Sequence, residues 1–218
     1  MSGRTIGVRR LGVLDYGAAV DLQRTLVEER RDGRVGDTLL LLEHPPVITL
    51  GAKTGGRRDH LVATTEQLAA AGVAVYETGR GGDITFHGPG QLIGYPIFDL
   101  RPDRCDVHRY VRDLEDVLIR AVATFGVVAQ RVPGLTGAWV GPTGREEKIG
   151  AIGVRISRWI TSHGFALNVS TDLEPFKWIV PCGIADRGVT SVERVLDRGV
   201  QMSDVADAVA RAVAEVFN

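Results

Sequence analysis

The stretch KIGAIGVRISRWITSHGFALNV, Lys148 to Val169, decides the fold class. In its first half Ile152, Val154 and Ile156 alternate with Gly153, Arg155 and Ser157. In its second half Phe165, Leu167 and Val169 alternate with Ala166 and Asn168. A period of two belongs to strands with one face buried, and two such runs in succession predict a β-hairpin. Upstream the period changes. Val107, Tyr110, Val111, Leu114, Val117, Leu118 and Ala121 form the clearest helical stripe, predicting a helix over 107–122. Further helices are predicted over 16–27 with a stop at Gly33, over 65–71, over 191–196, and over 203–216 with Ser203 as N-cap. Strands are predicted over 38–42, 47–50, 73–77 and 92–100. Strands and helices intermingle without regular βαβ alternation, so the expected class is α+β, with mixed sheets flanked by helices. No repeat, low-complexity tract or Pro/Ser-rich linker divides the chain, and a single domain over 1–218 is expected.

Composition narrows the function classes. The 218 residues carry 26 basic and 27 acidic side chains, a net charge of −1, which removes the electrostatic argument for nucleic acid or an anionic membrane as partner. Hydrophobic residues at 44% and charged ones at 24% exclude a disordered chain. The N-terminal residues lack the apolar run of a signal peptide, and no stretch approaches the roughly 18 apolar residues of a membrane span. Two cysteines, Cys105 and Cys182, do not resemble a secreted disulfide framework, so a cytoplasmic protein with free thiols is expected. Only 3 Lys stand against 23 Arg, so each lysine (Lys53, Lys148, Lys177) merits its own reading.

Three segments carry chemistry. Cys182, between Pro181 and Gly183, has little side-chain cover from its neighbours, which suits a nucleophile; a buried structural cysteine fits the local sequence as well. Cys105 reads as structural or incidental. A thiol nucleophile needs a group that lowers its pKa or takes its proton. Lys148, entering a glycine-rich strand, suits a lysine pointing into a cleft, while pairing with Glu146 or Glu147 in solvent is the plain alternative. His87 and His163, each preceding a glycine, compete for the same role. The run RGGDITFHGPGQ, Arg80 to Gln91, lies in a segment with five glycines in fourteen positions, Thr78 to Gln91. It reads as a loop whose amides approach a ligand closely, with Arg80 as a charged fork beside them, or simply as a set of turns. It is neither a P-loop nor a dinucleotide fingerprint. No His/Cys/Asp spacing resembles a zinc site, and neither a metal nor a cofactor is expected.

Taken in order, RGGDITFHGPGQL (80–92), KIGAIGVRI (148–156), HGFALNV (163–169), PCGI (181–184) and GVTS (188–191) resemble the lipoyl(octanoyl) transferases, also called lipoate-protein ligase B. The resemblance covers nearly the whole chain. It implies a fold akin to the catalytic domains of biotin and lipoate protein ligases. It implies transfer of an octanoyl group from octanoyl-acyl carrier protein to a lysine of lipoyl domains, those of 2-oxoacid dehydrogenase E2 subunits and the glycine cleavage H protein. Cys182 matches the family's acyl-accepting cysteine and Lys148 its acid/base lysine. Arg80, Gly81, Gly82, Asp83, Ile84, Thr85, Phe86 and His87, then Ala151, Ile152 and Gly153, then Gly164, Phe165 and Ala166, match its substrate-binding segments. Asp83 and Phe86 depart from the family's usual residues and bear on the shape of the acyl pocket.

Several finer expectations follow. Ile152, Val154, Phe165 and Leu167 are expected to wall the acyl groove. The amides of Cys182-Gly183 and of the Gly81-Gly82 loop are candidates for an oxyanion hole. Arg57, Arg58, Arg155 and Arg158 are candidates for rim charge facing acidic partners. Three other readings stay open on the residues alone: an ATP-dependent lipoate- or biotin-type protein ligase, a non-catalytic acyl-carrier-binding module, and a cysteine hydrolase using His87 or His163.

Overall fold

A computed structural model describes residues 4–180 and 187–218. The chain enters as β1 (Ile6–Val13), turns at Asp15, whose carboxylate caps α1 (Tyr16–Arg31), and returns as β2 (Asp37–Glu43). The apolar run of β2 is buried on both faces, as a strand between two layers must be. Next come β3 (Val47–Leu50), a 3₁₀ turn (Ala52–Thr54), α2 (Thr65–Ala70) with a Thr64/Gln67 capping box, β4 (Ala74–Glu77) and β5 (Ile84–His87). Then follow β6 (Gln91–Ile97), α3 (Val107–Ala123), β7 (Ala129–Val132), β8 (Leu135–Val140), β9 (Glu147–Ser157) and β10 (Ile160–Asn168). After a second 3₁₀ turn (Glu174–Trp178) come α4 (Val192–Leu196) and α5 (Met202–Phe217).

Seven strands form one sheet in the order β1-β2-β6-β10-β9-β8-β7, parallel only between β1 and β2. Three form a small mixed sheet, β4-β3-β5. Helices α3 and α5 cover one face of the large sheet, burying Leu114, Leu118, Val209 and Val213 against Leu41, Leu92, Phe165 and Leu167. Helix α1 covers the other face, with Ala19 and Leu26 against Leu40, Leu42, Ile93 and Ile97. The small sheet has its own core of Ile48, Leu50, Leu68, Ile84 and Phe86. This is the expected α+β class. Among the described residues no helix is long and apolar enough to cross a membrane.

The predicted hairpin is β9–β10. Its two-residue loop is Arg158-Trp159, both at positive φ (51° and 67°), the turn whose twist matches that of the strands it joins. Four strands are absent from the sequence reading, one of them β5, which lies inside the glycine-rich run read as a loop. β1 is half-exposed or exposed along its length and shows no alternation to read, and β7 and β8 are short and broken by register shifts. Helix α1 continues past Val27 to Arg31, and β6 stops at Ile97, short of Leu100. There the carboxylate of Asp99 turns to the Arg101 guanidinium, and Leu100 bonds the carbonyl of Trp159. Ser203 is not the N-cap of α5. The helix begins at Met202 after Gln201, because Met202 packs on the main core and draws the helix start upstream.

Candidate active site

Lys148 is placed by β9 directly across from Trp139 on β8. Its ammonium sits 4.7 Å from the centre of the Trp139 ring, a cation–π contact with a fully buried indole. Its stem runs past Gly137, where a Cβ would come within 3.4 Å of Lys148 Cε and where φ is +126°, so only glycine serves. Burial pushes the Lys148 ammonium down to about 8; the buried carboxylate of Glu115 works against that shift. Glu115 is held by Arg112 at 2.6 Å, Arg131 at 3.1 Å and the Gly137 amide at 3.0 Å. Lys148 is thus a lysine poised near neutral pH in a cleft, not the solvated partner of Glu146 or Glu147.

The main chain of Lys148 is stitched to the 188–190 segment. Lys148 N–H donates to Gly188 O at 2.9 Å, and Thr190 N–H donates to Lys148 O at 3.0 Å, a parallel bridge. Cys182, with Pro181 and Gly183, lies outside the described residues. On its near side Val180 N–H donates to His60 O at 2.8 Å.

Lys148 opens onto a cavity of about 490 Å³, a size ordinary for a small-molecule site. Of the expected substrate-binding residues, Arg80, Gly81, Gly82, Asp83, Ile84, Thr85 and His87 line it from one side. Ala151, Ile152, Gly153, Gly164, Phe165 and Ala166 line it from the hairpin. Phe86 does not; strand alternation turns it into the core of the small sheet, where it meets Phe176 edge-on at 5.6 Å. Leu167 likewise lies in the main core rather than in the groove wall, whereas Val154 is in the wall. Gly81 N–H donates to Val154 O at 2.8 Å, so that amide belongs to the seam joining the glycine loop to β9 and is not open to an oxyanion. Asp83 pairs with His60 at 2.9 Å. Arg57 is exposed and pairs with Asp59, and Arg155 lies at a second cavity of about 480 Å³ under α1.

The far end of the main cavity is polar and tightly ordered. Arg80, 7% exposed, donates from Nε and Nη2 to Thr49 Oγ1 at 3.1 and 2.8 Å, from Nη2 to Thr49 O at 2.7 Å, and from Nη1 to Gly81 O at 3.1 Å. A guanidinium only donates, so the Thr49 hydroxyl proton is left for His87 Nε2, 3.5 Å away. His87 Nδ1–H then donates to Gln91 Oε1 at 2.7 Å, Gln91 Nε2 to Asn168 Oδ1 at 2.8 Å, and Asn168 Nδ2 to Thr190 O at 3.0 Å. Both nitrogens of His87 are engaged. Burial first, then the His44 and Arg80 charges, push its pKa down to about 3. Burial, aided by Arg80 and Arg155, takes His163 to about 4. Neither histidine is matched to proton transfer near neutral pH, whereas Lys148 lies closer to that range.

Sequence reasoning missed Tyr16, Tyr95, Gln91 and Asn168. Tyr16 is the first residue of the helix predicted over 16–27, yet it lines both cavities. Tyr95 faces the cavity from β6, and its hydroxyl donates to His44 Nε2 at 2.7 Å because His44 Nδ1–H is committed to Leu14 O. Asn168 stood in the alternating pattern and its polarity at a buried position was the available signal. His163 carries φ +53° inside a strand, strain of the kind found at ligand sites, with its amide donated to Gln23 Oε1 at 2.7 Å. Among the described residues no group of three or more His, Cys, Asp or Glu side chains is arranged to hold a metal ion.

A model of the lipoyl protein ligase A/B catalytic domain matches residues 15–214. The chain belongs to that family. An octanoyltransferase of Myxococcus xanthus is 50% identical over 98% of this chain, which spans 60% of that relative's length. An octanoyltransferase of Chloroflexus aggregans is 51% identical over 99% of this chain and 96% of its own. These relatives are acyltransferases by name, and the chain is an enzyme of that family. In solved structures the fold is that of lipoate and biotin protein ligases. An archaeal lipoate protein ligase of Thermoplasma acidophilum matches with TM-score 0.67 at 18% identity, over 97% of this chain and 84% of its own. The biotin protein ligase of Aquifex aeolicus matches with TM-score 0.58 at 14% identity, over 97% and 70%. At such identities the likeness is one of fold.

Proposed function

We propose that the chain is a single-domain cytoplasmic lipoyl(octanoyl) transferase. It takes the octanoyl group from the thioester of acyl carrier protein and delivers it to a lysine of lipoyl domains, including those of 2-oxoacid dehydrogenase E2 subunits and the glycine cleavage H protein. The observation that carries this reading is Lys148, drawn down to about 8 at the mouth of a cavity whose walls include Ile84, Ile152, Val154 and Phe165.

The chemistry runs in two steps. The Cys182 thiolate attacks the donor thioester, a new thioester forms, and the departing pantetheine thiolate takes a proton from the Lys148 ammonium. The amine of the lipoyl-domain lysine then attacks the acyl-enzyme. An amide forms, the Cys182 thiolate departs, and the amine's proton passes to neutral Lys148. One group serves both steps because its pKa lies close to working pH. The backbone supports the pairing of the two residues: Gly188, six positions after Cys182, is hydrogen-bonded to Lys148 itself, which holds the returning chain beside the lysine. Arg80 to His87, Ala151 to Gly153 and Gly164 to Ala166, with Phe86 behind the wall, form the acyl site in this reading.

Intact-protein mass spectrometry after mixing with octanoyl-acyl carrier protein tests it. An octanoyl adduct on the wild type, absent from Cys182→Ser and discharged by an apo lipoyl domain, is the expected result. Modification of the lipoyl domain without any adduct overturns the acyl-enzyme. Modification that requires ATP and free fatty acid overturns the transferase in favour of a ligase.

A further inference from the structure

Gly94, in the middle of β6, does not line the cavity, and its φ is not in the left-handed region, so neither ligand contact nor backbone conformation calls for glycine there. Its direct cross-strand partners are Phe165 on β10 and Leu41 on β2. The distal edge of the Phe165 ring lies over it. A Cβ at position 94 would overlap Cζ and Cε2 of that ring and reach Cε1 at 2.6 Å. Glycine in a strand interior marks a close approach, and here the approaching body is a phenyl ring. The ring has one direction in which to yield. On its core side lie Leu41, Leu92, Leu118 and Leu167, all fully or almost fully buried and close-packed. On the other side is the acyl cavity, which Phe165 and its partner across β9, Ile152, both line.

The rung formed by Ile152 and Phe165 stands four residues along β9 from Lys148, about 13 Å at strand rise. An extended eight-carbon acyl chain runs about 9 Å from carbonyl to methyl. A chain laid along β9 with its carbonyl about 4 Å from Lys148 therefore brings its last carbons to that rung. We propose that Gly94 is a positioning residue for acyl-chain length: by leaving its strand bare it seats the Phe165 ring out of the groove, and so opens the depth that an octanoyl chain fills. The inference rests on the acyl-transfer reading and adds to it the device that selects a medium-length chain.

The test is the ratio of kcat/KM for hexanoyl, octanoyl and decanoyl carrier-protein donors with one apo lipoyl domain. Gly94→Ala pushes the ring into the groove, and at about fourfold per methylene the octanoyl-to-hexanoyl ratio falls about fifteenfold. Phe165→Leu deepens the groove and raises the decanoyl-to-octanoyl ratio. With the ring gone, adding Gly94→Ala to Phe165→Leu leaves the Phe165→Leu profile in place. Equal loss on all three donors in Gly94→Ala, or unchanged ratios in Phe165→Leu, overturns the proposal. If Gly94→Ala alone does not fold, the Phe165→Leu ratios and the double variant decide. Absence of acyl transfer by the wild type overturns the function and this inference together, whereas transfer with ratios indifferent to both substitutions overturns the inference alone.

Discussion

Thr49→Val keeps the shape of the side chain and removes one hydroxyl, and the cavity's polar end depends on that hydroxyl. Two of the four hydrogen bonds of the buried Arg80 guanidinium end on Thr49 Oγ1, at 3.1 and 2.8 Å, while those to Thr49 O and Gly81 O remain. Because the two lost bonds share one acceptor, they count as one charge-assisted interaction worth about 1.5–3 kcal/mol. His87 Nε2 also loses its donor; at 3.5 Å that bond is long, and its loss adds at most about 1 kcal/mol. The sum is about 3 kcal/mol, more than a hundredfold in the unfolding equilibrium. Urea unfolding of Thr49→Val and Thr49→Ser measures it. Serine keeps the acceptor and stays within about 1 kcal/mol of wild type. A valine variant that loses less than about 1 kcal/mol, or a serine variant that loses as much as valine, refutes the account of Arg80 as a cation held by Thr49.

The titrating groups give further expectations. Lys148→Met slows transfer by about 10²–10⁴-fold, and in single-turnover experiments on the wild type, acyl-enzyme formation weakens while its discharge by amine strengthens as pH rises through about 8. Burying the Lys148 ammonium costs stability. Its folded pKa lies below the unfolded value of 10.5, so between about 8 and 10.5 the unfolded chain holds the extra proton and stability rises with pH; melting curves of Lys148→Met lack that rise. His87 and His163, at about 3 and 4 in the fold against 6.5 unfolded, stabilise the native state above 6.5 and lose that contribution as pH falls, so His163→Gln flattens the acid side of the melting-temperature profile. Gly153→Ala drives a methyl to 2.8 Å from Gly81 O and 3.1 Å from Arg80 Cδ, and raises KM for the acyl donor more than it lowers melting temperature.

What the sequence disclosed depended on how each residue announces itself. α3 was legible because one face of it is buried and the other is not, whereas the hairpin was legible from the alternation of its side-chain types alone, since β10 is buried on both faces. β1 was not, because its residues are half-exposed or exposed and any alternation would carry no meaning. The glycine loop and the lysine were found, yet their spacing alone left lysine and histidine level. Burial separated them, since the same desolvation that brings Lys148 into the useful range takes His87 out of it. Tyr16 and Tyr95 had no local signal at all. Each reads as core in its own element and becomes part of the cavity only when α1 and β6 are packed beside β10.

Thr190 is where two descriptions of this cavity meet. Its N–H is bound to the carbonyl of Lys148, and its own carbonyl receives Asn168, the last member of the chain of hydrogen bonds that starts at Arg80. One buried residue is therefore tied to both ends of the cavity, much as a cross-tie holds two rails at a fixed gauge. The consequence is mechanical: the lysine cannot draw back from the arginine end without breaking a bond at residue 190. The span a substrate must bridge is thus set by the backbone rather than by whatever happens to occupy it.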